Sequence, residues 1–61
     1  MDATKKAHKL AGLLRACAIA QREVAAAYKD CGWDLTASRW EVKARESVQA
    51  AEGLETKFPV C

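Results

Sequence analysis

Residues 30–34 read Asp-Cys-Gly-Trp-Asp, and this short stretch divides the chain into two helical halves. Gly32 suits the left-handed backbone position just past a helix end. Asp34 and Thr36 are candidate N-caps for the second half, and Ser38 with Glu41 has the spacing of a capping box. The reading is helix, short turn, helix.

Outward from the turn, both halves carry helical periodicity. On the N-terminal side, alternating steps of four and three pick out Ala3, Ala7, Leu10, Leu14, Cys17, Gln21, Val24, Tyr28 and Cys31, of which only Gln21 is polar. This is a seam of heptad spacing. Ala11, Ala18 and Ala25 flank it on one side, and Leu13, Ala20 and Ala27 on the other. The apolar stripe is therefore wide, and its small flanks invite close approach by a neighbour. On the C-terminal side the same rule gives Ala37, Trp40, Ala44, Ser47, Ala51, Leu54 and Phe58, with Val48 beside it. Pro59 ends this second run, and Gly53 weakens its last turn.

The predicted organisation is all-α and a single domain over 1–61. Helix one covers about 3–30, the turn 31–36, helix two about 37–57, and a short tail 58–61. Joined by so short a turn, the helices must lie antiparallel. A two-helix layer covers one face of each helix, and the stripe on helix one is wider than that. The expectation is a homodimer that closes into a four-helix bundle. The residues expected in its core and dimer seam are Leu10, Leu14, Cys17, Val24, Tyr28, Trp40, Val48 and Leu54.

Composition limits what such a chain does. It has 61 residues, of which 51% are hydrophobic, but 13 are alanine and large apolar side chains are few. Chains of this size have marginal cores and lean on staples, metals or partner subunits. At this length neither a second domain nor a large substrate cavity is expected. The net charge is +2. Residues 1–29 carry +4 and residues 30–61 carry −2, which suits two helices of complementary charge side by side.

The residues offer no catalytic or metal-binding constellation. His8 is the one histidine, on an outward column near the N-terminus, and Cys31 lies about 35 Å along the helix from it. The cysteines at 17, 31 and 61 have neither the spacing nor the company of a zinc site. No phosphate loop or dinucleotide fingerprint occurs. The expectations are no enzyme activity, no cofactor, no metal and no small-molecule substrate.

The longest unbroken apolar run, residues 16–20, is far short of a membrane span of about 20 residues. No leader segment is legible either. Three cysteines fit a reducing compartment with free thiols, so a cytoplasmic protein is expected. Cys17, on the seam, is expected to react slowly. Cys61 on the tail should react fast and approach a partner's Cys31 if two hairpins pack with opposed turns.

Two nucleic-acid readings arise. Residues 24–44 resemble a helix-turn-helix around Gly32, but Tyr28 stands where close crossing needs a small residue. Ser38 and Glu41 stand where that motif buries apolar ones. In length and layout the chain also resembles the plasmid-encoded RNA-binding dimers of helical hairpins, with no shared motif. Independently of that resemblance, His8, Arg15, Arg22 and Lys29 recur every seven residues and line one face of helix one. RNA or DNA binding by this face is the alternative function.

The favoured reading is a small non-enzymatic regulator, adaptor or inhibitor that binds a protein through its helical surface, of the kind carried by phages and other mobile elements. Trp33 beside the turn glycine is a candidate anchor, because Trp, Tyr and Arg dominate binding hot spots. Ile19, on a smooth outer column with Gly12 and Ala26, is a second. Arg15, Arg22 and Lys29 complete the candidate binding set.

Overall fold

The structure, a computed structural model, describes residues 3–59. It contains two helices, α1 (Ala3–Asp30) and α2 (Asp34–Lys57). They pack antiparallel into a rod of 46 × 14 × 14 Å. The helical hairpin foreseen from the sequence is present.

The turn is tighter than expected. Gly32 has φ 81°, where any side chain costs roughly 1–2 kcal/mol. The Gly32 N–H donates to the Lys29 carbonyl at 3.0 Å, and the Trp33 N–H to the Tyr28 carbonyl at 2.9 Å. These are the two backbone bonds of a Schellman ending, which satisfy carbonyls the helix leaves open. The apolar contact that accompanies such an ending is made by the same residues. The Tyr28 and Trp33 rings stack with centroids 5.8 Å apart.

The chain thus reverses within 31–33, and α2 begins at Asp34 rather than near residue 37. Its N-cap is Trp33, with no side-chain cap hydrogen bond. The expected caps at Asp34 and Thr36 and the Ser38–Glu41 box are corrected accordingly, because all four residues lie inside the helix. Asp34 instead places a carboxylate in the first turn, where it meets the positive end of the helix dipole. At the other end the Phe58 N–H bonds to the Leu54 carbonyl, and Pro59 prevents continuation. Val60 and Cys61 lie outside the described residues, so the expectations for Cys61 fall there too.

The interface between the helices is made of alanine. The buried residues are Ala7, Ala11, Ala18 and Ala25 on α1 and Ala37, Ala44 and Ala51 on α2. No larger side chain is fully buried among the described residues. Methyl groups at seven-residue spacing leave little between the two backbones, and interaxial distance follows the size of the side chains at the contact. Leu14, Tyr28, Trp40, Val48 and Leu54 are half-buried around this alanine line. In the middle, the half-buried Ser47 hydroxyl donates to the Gln21 side-chain carbonyl at 2.9 Å. The one polar residue of each predicted seam therefore satisfies the other and pins the register, since a slip leaves both unpaired.

The seam of α2 is the one the periodicity gave. The seam of α1 is corrected by one column. Residues 7, 14, 21 and 28 face α2 as expected, but their companions are 4, 11, 18 and 25. The column containing Leu10, Cys17, Val24 and Cys31 turns away from α2. Leu10 is 48% exposed, Cys17 and Cys31 are exposed free thiols, and Val24 is half-buried. The physical reason is size. Alanine at 11, 18 and 25 permits a closer contact than leucine, cysteine and valine would.

Candidate interaction surfaces

The polar face of the hairpin is built from one column of each helix. His8, Arg15, Arg22 and Lys29 run along α1, and Glu41, Val48 and Glu55 run beside them on α2. The Arg15 guanidinium forks onto Glu55, its Nε donating to Oε2 at 3.3 Å and its Nη2 donating to Oε1. That hydrogen bond, with the charge of Arg15, holds the Glu55 carboxyl below its ordinary value of 4.5, and the same contacts raise the Arg15 guanidinium. The His8 ring hydrogen-bonds to the Phe58 carbonyl through Nε2. Arg22 and Lys29 share a shallow cleft with Glu41 and Arg45. Two of the four residues in the basic column, His8 and Arg15, are thus engaged within the hairpin, and Arg45 joins the other two, Arg22 and Lys29, in the cleft.

The turn end is aromatic. Tyr28 lies between two tryptophans, with Trp33 at 5.8 Å and Trp40 at 6.5 Å between centroids, and interplanar angles of 29° and 17°. Lys43 places its ammonium 4.8 Å from the Trp40 ring centre, within cation–π range. Trp40 is half-buried, close to its expected core role. Trp33 keeps one face on Tyr28 and remains 60% exposed. Two residues further on, Leu35 is 71% exposed, the highest value among the large apolar residues described. Leu35 was not singled out in the sequence because it falls in the segment read as turn. Its signal was available: an apolar residue off the 37/40/44 seam.

A third surface runs along α1. Leu10, Leu13, Cys17, Ala20, Val24, Ala27 and Cys31 follow one another at steps of three and four, and none is polar. All are exposed except half-buried Val24. Ile19, 59% exposed, stands apart from this stripe on the outward column with Gly12 and Ala26. Val42, 47% exposed, lies on the outer side of α2.

Among the described residues no group of His, Cys, Asp and Glu is arranged to hold a metal ion. No helix there is long and apolar enough to cross a membrane. Comparison with protein-family models, with curated proteins and with solved structures found no match to this chain.

Proposed function

We propose that this hairpin is a non-enzymatic regulator, adaptor or inhibitor, working in the cytoplasm as a homodimeric four-helix bundle and acting by binding a protein. One contrast carries the reading. The buried residues are seven alanines, whereas Leu10, Leu13, Ile19, Trp33, Leu35 and Val42 are all exposed. These six lie outside the alanine line and its half-buried rim, where apolar side chains serve contact with a partner rather than the core of the hairpin. The compartment rests on the free thiols of Cys17 and Cys31, which a reducing environment preserves.

Partner contact is assigned to the turn end. Trp33 is held in place by Tyr28, so little side-chain freedom is lost when its outer face is covered. Leu35, in the first turn of α2, adds a second exposed apolar side chain at this end. The rival reading, nucleic-acid binding by the basic column, is weakened by the Arg15–Glu55 pair and the His8–Phe58 bond.

The test is capture from a lysate of the source cells with wild-type and Trp33→Ala hairpins, each with and without nuclease. One protein in stoichiometric amount, resistant to nuclease and lost with Trp33→Ala, is the expected result. A nuclease-sensitive capture that survives Trp33→Ala but is lost with Arg22→Ala would replace this reading with the nucleic-acid one.

A further inference from the structure

We propose that the exposed stripe of α1 is the seam of an antiparallel pairing with a second copy of this chain, in a register that sets Leu10 across from Ala27, Leu13 from Val24, and Cys17 from Ala20. The inference rests on the homodimer proposed above and specifies its interface, orientation and register.

The first observation is the stripe's place on the helix. Residues 4, 7, 11, 14, 18, 21, 25 and 28 face α2. Residues 3, 6, 10, 13, 17, 20, 24 and 27 are the same set moved back by one position, which is about 100° around the axis. A helix in a four-helix bundle meets its two neighbours at nearly a right angle, so α1 carries one seam for each neighbour. From Leu10 to Cys31 the second seam runs about 32 Å at roughly 1.5 Å per residue.

Shape comes next. The stripe is bulky toward the N-terminus, at Leu10 and Leu13, and mostly small toward the C-terminus, at Ala20, Ala27 and Cys31. At the small end, Val24, Ala27, Tyr28 and Cys31 line an apolar groove. Antiparallel pairing lowers Leu10 and Leu13 of each copy into the groove of the other, the knob-into-hole relation of packed helices. Parallel pairing would set leucine on leucine at one end and alanine on alanine at the other.

Charge selects the same orientation. The column rimming the stripe on the side away from α2 is Lys9, Ala16, Glu23 and Asp30. All four are exposed. Antiparallel pairing brings Lys9 of each copy alongside Asp30 of the other. In a parallel two-fold pair this column lies instead against the opposite flank of the partner's stripe, Ala7, Leu14, Gln21 and Tyr28, where Lys9 and Asp30 meet no opposite charge.

Exposed area agrees. The chain exposes 4670 Å², whereas a compact monomer of its mass exposes about 3,900 Å². The excess of about 800 Å² belongs to an elongated rod of 46 × 14 × 14 Å, and pairing in an interface of standard size removes about that much from each partner.

The test has two parts. Leu13 and Ile19 are both 59% exposed in the single hairpin but lie on different sides of α1. Light scattering is applied to wild type, Leu13→Glu and Ile19→Glu. The expected result is a dimer for wild type and Ile19→Glu. For Leu13→Glu alone, the dimer dissociation constant should rise at least tenfold, or helix should be lost. Orientation is read by distances between spin labels on single cysteines in a cysteine-free background, introduced as Ile19→Cys or Lys29→Cys. In the proposed register the two-fold axis passes near residue 19. The Lys29 labels are then separated by about 30 Å along the helix axis and the Ile19 labels by almost nothing. Equal distances at the two sites would overturn the orientation. A Leu13→Glu protein that stays dimeric would overturn the interface while leaving the homodimer standing. A monomeric wild type would overturn both.

Discussion

The two apolar stripes of α1 differ by one residue in register and have opposite fates. The stripe through Ala11, Ala18 and Ala25 is buried to within 1–2% exposure. The stripe through Leu10, Leu13 and Cys17 is left open, although it is the more hydrophobic of the two. Burial per side chain favours the leucines, at about 0.8 kcal/mol for each CH₂. The intramolecular contact is nonetheless made by the alanines. A short turn fixes α2 beside α1, and methyl groups let the two backbones close along their whole length. The hydrophobic ranking of side chains therefore does not say which face of a helix meets its neighbour within the chain. It marks instead the face with most to gain from a further neighbour.

Filling the close contact should abolish this difference most severely. Ala18→Leu forces the helices apart and is expected to lose roughly 1–3 kcal/mol, or the fold itself. The matched change Ala26→Leu, on an exposed outward position, should leave the thermal melt followed by circular dichroism within a few tenths of a kcal/mol. Equal effects at the two sites would show that the alanine line is not the helix–helix contact.

The turn holds the two helices to this contact. Gly32 has open space where a side chain would sit, so Gly32→Ala is penalised by backbone conformation alone, by about 1 kcal/mol. A neutral result in urea denaturation would mean that the left-handed turn does not form. Gly53 has the opposite expectation. It lies inside α2, also with open space around it, and Gly53→Ala should raise the urea midpoint by up to ~1 kcal/mol equivalent.

The smallest expected effect belongs to the polar face. Arg15 holds the Glu55 carboxyl below 4.5 in the folded chain. Its stabilisation is therefore present above the unfolded value and is lost as pH falls through the folded one. Glu55→Gln should melt slightly below wild type at pH ~7 and together with it at pH ~2. Exposed pairs of this kind contribute little, and a gap that persists at about pH 2 would assign the effect to packing rather than charge.

The seam of α2 was legible in full because its stripe is narrow. Trp40, Leu54 and the three alanines are bounded by Glu41 and Glu55 on one side and Lys43 and Lys57 on the other, so only one seam fits. On α1 four adjacent columns are apolar or small. A periodicity count settles on their middle, which puts Leu10 and Cys17 in one core and dimer seam with Leu14 and leaves Ala11, Ala18 and Ala25 on its flank, without separating the column that meets α2 from the one left open. Trp33 was found because it adjoins the turn glycine. Leu35 shows in the sequence only as an apolar residue off the α2 seam, because α2 starts at Asp34 without a side-chain cap to mark the boundary. The Arg15–Glu55 pair joins residues 40 apart, a distance the charge balance of the halves suggests but does not locate.

The central claim is that the hairpin is complete in its contacts only as a pair. Sedimentation equilibrium of the wild-type chain across the micromolar range tests this most directly. The expected mass is twice 6.7 kDa, falling toward the single-chain value on dilution together with a drop in melting temperature. A single-chain mass at every concentration, with an unchanged and cooperative melt, would contradict it.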